Sequence, residues 1–168
     1  MCNVDPHDAA KLSEQIAACA AVGCDIIRLT VPDIEAAKVF GEVRKSSPIP
    51  MVADIHFDYR IAIRCAELGV DKIRINPGNI GSDENVKKVA DICKAKNIPI
   101  RIGVNAGSLD AALREKFGGA TPEALVESAM QHVRLLEEVD FYDIKISVKA
   151  SDIDRTLAAY RLLSQTTN

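Results

Sequence analysis

Gly69-Val70-Asp71-Lys72-Ile73-Arg74-Ile75-Asn76 reads as a β-strand on which every second residue is charged or a carboxamide. Side chains alternate across a strand, so Lys72, Arg74 and Asn76 share one face while Ile73 and Ile75 share the other. The segment is also a repeat. Gly23-Cys24-Asp25-Ile26-Ile27-Arg28 opens an earlier segment in the same way, Ile49-Pro50 recurs as Ile98-Pro99, and Asp143-Ile144-Lys145 is a third, degenerate copy. Residues 25–31 place Arg28 and Thr30 on one face, and residues 51–57 place Asp54 and His56. Residues 99–105 add Arg101, Gly103 and Asn105, and residues 143–149 align Asp143, Lys145, Ser147 and Lys149. Ionised groups gathered on sheet faces are too costly to be filler, and they point to a site.

Between these strands the apolar residues recur at helical spacing over residues 6–22, 33–45, 58–68, 83–96, 122–138 and 152–164. Start signals agree: Asp5 before Pro6, Thr121 before Pro122, and Ser82 and Ser151 ahead of acidic first turns. Gly23 and Gly69 stand where helices should end. Strand and helix alternate, the pattern of a parallel sheet joined by crossover helices. A doubly wound sheet, covered by helices on both sides, needs central strands that are apolar on both faces. These strands are apolar on one face only, so the polar face looks into the interior and mouth of a barrel.

A complete barrel of this kind takes about 250 residues and eight strands. With 168 residues, five strands and an opening helix, the chain is expected to be one α/β domain, residues 1–168, forming a partial TIM-like (β/α)8 barrel. It should begin just after the first barrel strand and stop before the seventh, leaving two strand edges unpaired. Residues 106–121 break the regular spacing and should hold a short helix that begins at Ser108 and ends at Gly118-Gly119.

Composition excludes several classes. The chain is 48% hydrophobic and 27% charged, which is enough apolar matter for a core. A net charge of -3 and an aromatic content of 4% without Trp argue against nucleic acid and anionic membrane as partners. No apolar run approaches the ~20 residues of a membrane span and no signal-peptide core opens the chain, so a cytoplasmic location is expected. Cys2, Cys19, Cys24, Cys65 and Cys93 form no Cys-x-x-Cys pair and read as free thiols, with no metal site expected among them.

Barrel active sites lie at the carboxyl ends of the strands, which places Thr30, His56, Asn76, Asn105 and Lys149 at the rim. Arg28 and Arg74 lie two residues deeper, within reach of the rim, and Arg101 lies four deeper with the weakest geometry. Converging guanidinium forks suit phosphate oxygens. The loops Asn76-Pro77-Gly78-Asn79-Ile80-Gly81-Ser82 and Asn105-Ala106-Gly107-Ser108 offer backbone N–H groups ahead of helices for the same purpose. A phosphorylated small molecule is the expected ligand. Arg28 or Arg74 alone can instead be a structural partner of Asp54, but acidic residues on these faces are too few to neutralise the whole set. His56 beside Asp54 is a candidate for proton transfer. Lys149 is a rim residue or a substrate contact, Lys145 is deeper and structural, and His7 and His132 belong to helices.

Four segments are together similar to the 4-hydroxy-3-methylbut-2-enyl diphosphate synthase family. They are Val52-Ala53-Asp54-Ile55-His56-Phe57-Asp58, Lys72-Ile73-Arg74-Ile75-Asn76-Pro77-Gly78-Asn79-Ile80-Gly81, Arg101-Ile102-Gly103-Val104-Asn105-Ala106-Gly107-Ser108 and Val148-Lys149-Ala150-Ser151. Thr121-Pro122-Glu123-Ala124-Leu125-Val126-Glu127-Ser128-Ala129 fits too, so the resemblance runs over essentially the whole chain. It implies an oxidoreductase of non-mevalonate isoprenoid biosynthesis that reductively opens and dehydroxylates 2-C-methyl-D-erythritol 2,4-cyclodiphosphate. In such enzymes a barrel holds the diphosphate and a separate C-terminal domain carries a 4Fe-4S cluster on three cysteines and a glutamate. Ferredoxin or flavodoxin supplies electrons, and a homodimer brings one subunit's cluster over the other's barrel. Carried onto this chain, the resemblance assigns substrate binding to Arg28, Arg74, Asn76, Arg101, Asn105 and Lys149. Asp54 and His56 take the catalytic, proton-relaying place. None of the five cysteines falls in a cluster motif, so this chain is expected to bind no cluster and not to catalyse the reaction alone. Two other readings remain at this stage: a phosphosugar aldolase in which Lys149 or Lys145 forms a Schiff base, and a non-catalytic scaffold whose interior charges only pair with one another.

Overall fold

Each of the five parallel strands pairs with its neighbour in sequence: β1 (Ile27–Thr30), β2 (Met51–Ile55), β3 (Lys72–Ile75), β4 (Ile100–Asn105) and β5 (Ile144–Lys149). The computed structural model describes residues 1–76 and 79–167. A doubly wound sheet reverses its strand order at a switch point, whereas a βα barrel adds strands in sequential order, as here. The partial-barrel expectation is met.

Helices α1 (Ala9–Ala21), α2 (Ile34–Arg44), α3 (Tyr59–Glu67), α4 (Asp83–Lys96), α6 (Pro122–Glu137) and α7 (Ile153–Thr166) alternate with the strands. The short α5 (Ala111–Lys116) follows a 3-10 turn at Ala106–Ser108. Consecutive long helices pack side by side, α1 on α2, α2 on α3, α3 on α4, α4 on α6 and α6 on α7, which makes one outer layer. The strand faces toward that layer are apolar. Ile27, Leu29, Met51, Ala53, Ile55, Ile73, Ile75, Ile100, Ile102 and Val104 are all buried, and each of the larger side chains contributes roughly 1.5–3 kcal/mol of transfer free energy. Phe40, Cys65, Ala90, Leu125 and Leu136 meet them from the helices.

Caps set the helix starts, and several differ from expectation. Asp8 rather than Asp5 caps α1, its side chain accepting from the Lys11 N–H, so residues 6 and 7 lie in a turn before the helix. Asp152 rather than Ser151 caps α7, because its carboxylate reaches the first-turn N–H groups of Asp154 and Arg155. Asp110 caps α5, so the segment after β4 is a tight turn and a separate short helix rather than one helix from Ser108. Ser82 precedes α4 as expected but its hydroxyl makes no capping bond. Gly23 and Gly69 have φ of +88° and +83° and end their helices as the sequence indicates.

Candidate anion-binding site

The parallel register sets Thr30, Asp54, Arg74, Arg101 and Lys145 in one row across the five strands. Arg101 is therefore level with Arg74, not two residues below it. Counting back from strand ends misplaces it because the strands run past one another with a stagger that a single sequence does not display. Asn105 and Lys149 form a second row nearer the mouth.

Asp54, 3% exposed, is the hub. Its Oδ1 accepts from Arg74 Nη1 at 2.9 Å, its Oδ2 lies 3.4 Å from Arg28 Nε, and His56 Nε2 lies 3.4 Å from Oδ1. Removing one member of such a buried pair leaves an uncompensated charge and costs about 3–5 kcal/mol. Both arginines thus have the structural partner that the sequence allowed. Arg28 also directs Nε and Nη2 at the Met1 sulfur, at 3.4 and 3.3 Å.

Arg101 is different. Its Nε donates to Ser147 Oγ at 3.0 Å, the serine donates on to the Ile102 carbonyl at 3.3 Å, and no carboxylate among the described residues forms an ion pair with it. Burial, then the charge of Arg28 and more weakly that of Arg74, press its pKa below the ordinary guanidinium value. A guanidinium does not deprotonate at neutral pH, so Arg101 stays charged although burial and its cationic neighbours disfavour that charge.

Arg28, Asp54, His56, Arg74, Arg101, Asn105 and Lys149 line one cavity of about 510 Å3 at the strand carboxyl ends. Four cationic groups face one carboxylate there, which suits an anion carrying several charges. Asn76 is the candidate that falls outside this lining: it is buried, and its Nδ2 donates to Ser108 Oγ at 2.7 Å, tying the loop after β3 to the loop after β4. Ser108 in turn donates to the Asn105 carbonyl, and Arg114 on α5 donates to the carbonyls of Ala106, Gly107 and Leu109. Pro77 and Gly78, the centre of the other expected phosphate loop, lie outside the described residues.

Lys145 pairs with Asp143 at 3.1 Å and lines a separate cavity between β5 and helices α6 and α7. Ser147, Thr156 and Tyr160 line the cationic cavity and were not singled out from the sequence. Ser147 did lie on the polar strand face. Thr156 and Tyr160 sit on α7, where only the packing of that helix beside β5 shows which side approaches the cavity.

Cys65 and Cys93 are buried among apolar side chains, which pushes both thiols up to about 12. Among the described residues no three His, Cys, Asp or Glu side chains converge as metal ligands. No helix among them is long and apolar enough to cross a membrane.

Sequential parallel strands with a cation-lined mouth at their carboxyl ends define a partial TIM-barrel-type α/β domain. The whole chain, residues 1–168, matches the GcpE TIM-barrel domain, and it belongs to that family. The protein of Caldanaerobacter subterraneus subsp. tengcongensis named 4-hydroxy-3-methylbut-2-en-1-yl diphosphate synthase (flavodoxin) is 58% identical over 164 residues, 98% of this chain and 46% of that protein. The protein of the same name from Maridesulfovibrio salexigens is 56% identical over 165 residues, with 98% and 46% covered. The chain thus spans about half the length of these curated relatives. In fold it is similar to the phospho-2-dehydro-3-deoxyheptonate aldolase of Thermotoga maritima, with a TM-score of 0.69 at 11% identity, covering 98% of this chain and 46% of that one. A Sargasso Sea enolase gives a TM-score of 0.55 at 12% identity over 87% of this chain and 33% of its own.

Proposed function

We propose that this domain is the substrate-binding half of a 4-hydroxy-3-methylbut-2-en-1-yl diphosphate synthase, and that its cationic cavity holds the diphosphate of 2-C-methyl-D-erythritol 2,4-cyclodiphosphate. The observation that carries the reading is the imbalance of charge: among the described residues Arg28, Arg74, Arg101 and Lys149 line the cavity with one carboxylate, Asp54, and Arg101 pairs with a serine rather than with a carboxylate. A cyclic diphosphate supplies the missing negative charge. Fork-shaped guanidinium groups match its non-bridging oxygens and Asn105 offers an amide at the mouth.

In this reading Asp54 fixes Arg74 and Arg28, Arg101 and Lys149 neutralise the ligand, and His56, open to the cavity, is placed to exchange a proton with the bound sugar carbons or hydroxyls. An iron–sulfur cluster would supply the electrons for the ring opening, and none of the residues proposed here is assigned as its ligand. Flavodoxin as electron donor, a homodimeric enzyme and a cytoplasmic setting complete the proposal. Lys149 is exposed at the rim, which fits a charge contact rather than the desolvated amine that carbonyl chemistry requires.

Titration of the cyclodiphosphate into full-length protein by calorimetry tests the assignment. Arg101→Ala and Arg74→Ala should each weaken binding by roughly tenfold to a hundredfold, the range for losing one charge-assisted contact. Unchanged affinity in both variants would remove the cavity as the diphosphate site.

A further inference from the structure

Gly103 stands in the middle of β4, on the face that carries Arg101 and Asn105, where a side chain would point into the barrel. Its backbone lies outside the left-handed region that requires glycine, and glycine inside a strand weakens it. Conformational freedom therefore does not account for the residue. Its surroundings do. A Cβ built on Gly103 would lie 2.5 Å from Arg74 Nε, 2.6 Å from Nη2 and 2.9 Å from Cζ, well inside contact distance. The Arg74 guanidinium crosses from β3 and points its Nε/Nη2 edge at the bare backbone of β4.

A flexible arginine tip ordinarily swings away from such a clash. This one cannot swing without loss, because its Nη1 is hydrogen bonded at 2.9 Å to Asp54, and both side chains are buried, at 10% and 4% exposure. Arg101, its neighbour across the strand pair, adds repulsion on the open side. We infer that Gly103 is a positioning residue for the anion site: the missing side chain is the berth that admits the Nε/Nη2 edge of the Arg74 guanidinium while its Nη1 stays paired with Asp54. A methyl group at this position would push the guanidinium away from β4 and part it from Asp54.

The effect on ligand rests on the diphosphate reading above; the coupling of Gly103 to Arg74 does not. Both are tested by one double-mutant cycle in the full-length protein, Gly103→Ala in the Arg74 and Arg74→Ala backgrounds, read by thermal unfolding and by cyclodiphosphate titration. With Arg74 present, Gly103→Ala should lower the unfolding midpoint and weaken binding by roughly tenfold to a hundredfold. In the Arg74→Ala background it should change neither quantity for the worse, since the clash is gone and alanine suits a strand better than glycine. Equal losses in both backgrounds, or no loss with Arg74 present, would overturn the inference. If Arg74→Ala binds the cyclodiphosphate like wild type, the diphosphate reading fails and the unfolding cycle still decides the berth. Should Arg74→Ala not fold, because it leaves the Asp54 charge alone, Arg74→Ala with Asp54→Asn supplies a neutral background for the same comparison.

Discussion

His7 stands between two carboxylates, its Nδ1 2.9 Å from Asp5 and its Nε2 2.9 Å from Asp33. The sequence assigned it to a helix; it lies instead in the turn before α1, with its ring toward the cap of α2. The bond to Asp33, then that to Asp5, raises its pKa above the ordinary 6.5. A raised folded value means that the clamp contributes fully below pH ~6.5 and is lost as pH rises through the folded value. Hydrogen exchange corrected for intrinsic rates should therefore show residues 1–8 better protected at about pH 5.5 than at about pH 8.5, and His7→Ala should abolish the difference. Equal protection of the native turn at both pH values would contradict the clamp. Arg101 teaches a related lesson at the same scale. Its residue type and strand face were legible in the sequence, but its depth and its lack of an acidic partner depended on the stagger of β3, β4 and β5.

Among the elements, α3 and α4 show how helix periodicity fixes a side chain's chemistry. Cys65 and Cys93 fall on the buried stripes beside Ala62, Ala66, Val89 and Ala90, whereas Cys2, Cys19 and Cys24 are half-buried. Thiolate is the reactive form, and burial both excludes reagent and disfavours ionisation. Titration with a thiol-specific disulfide reagent near neutral pH should label some of Cys2, Cys19 and Cys24 in the native chain, with Cys65 and Cys93 reacting only on unfolding. Peptide mapping that found Cys65 or Cys93 labelled in native protein would contradict the packing of these helices. Helix and strand identities were readable here because periods of 3.6 and 2 leave separate traces. The exact starts were not, since Asp5 competes with Asp8 and Ser151 with Asp152, and only the backbone path decides which carboxylate reaches free N–H groups.

The whole molecule is a curved sheet whose outermost strands, β1 and β5, each pair on one side within the described sheet. On the β5 side, Ile144 and Ile146 are only partly covered, and a cavity of about 600 Å3 opens between that strand and α6 and α7. Exposed strand edges with apolar flanks recruit further strands. A polypeptide of these 168 residues should therefore self-associate as its concentration rises, as sedimentation velocity would show; a monomer across the whole range would mean that the edges are protected. The sequence by itself determined the alternation of elements, the barrel class and which residue types share the inner face, because those features depend on periods and spacings along the chain. Only the tertiary structure decided that Asp54 pairs with Arg74 and Arg28 but not with Arg101, that α7 lends Thr156 and Tyr160 to the cavity, and that Gly103 makes room for a guanidinium from the next strand. Register and close approach are relations between segments distant in sequence, and one strand read alone carries no record of what lies across from it.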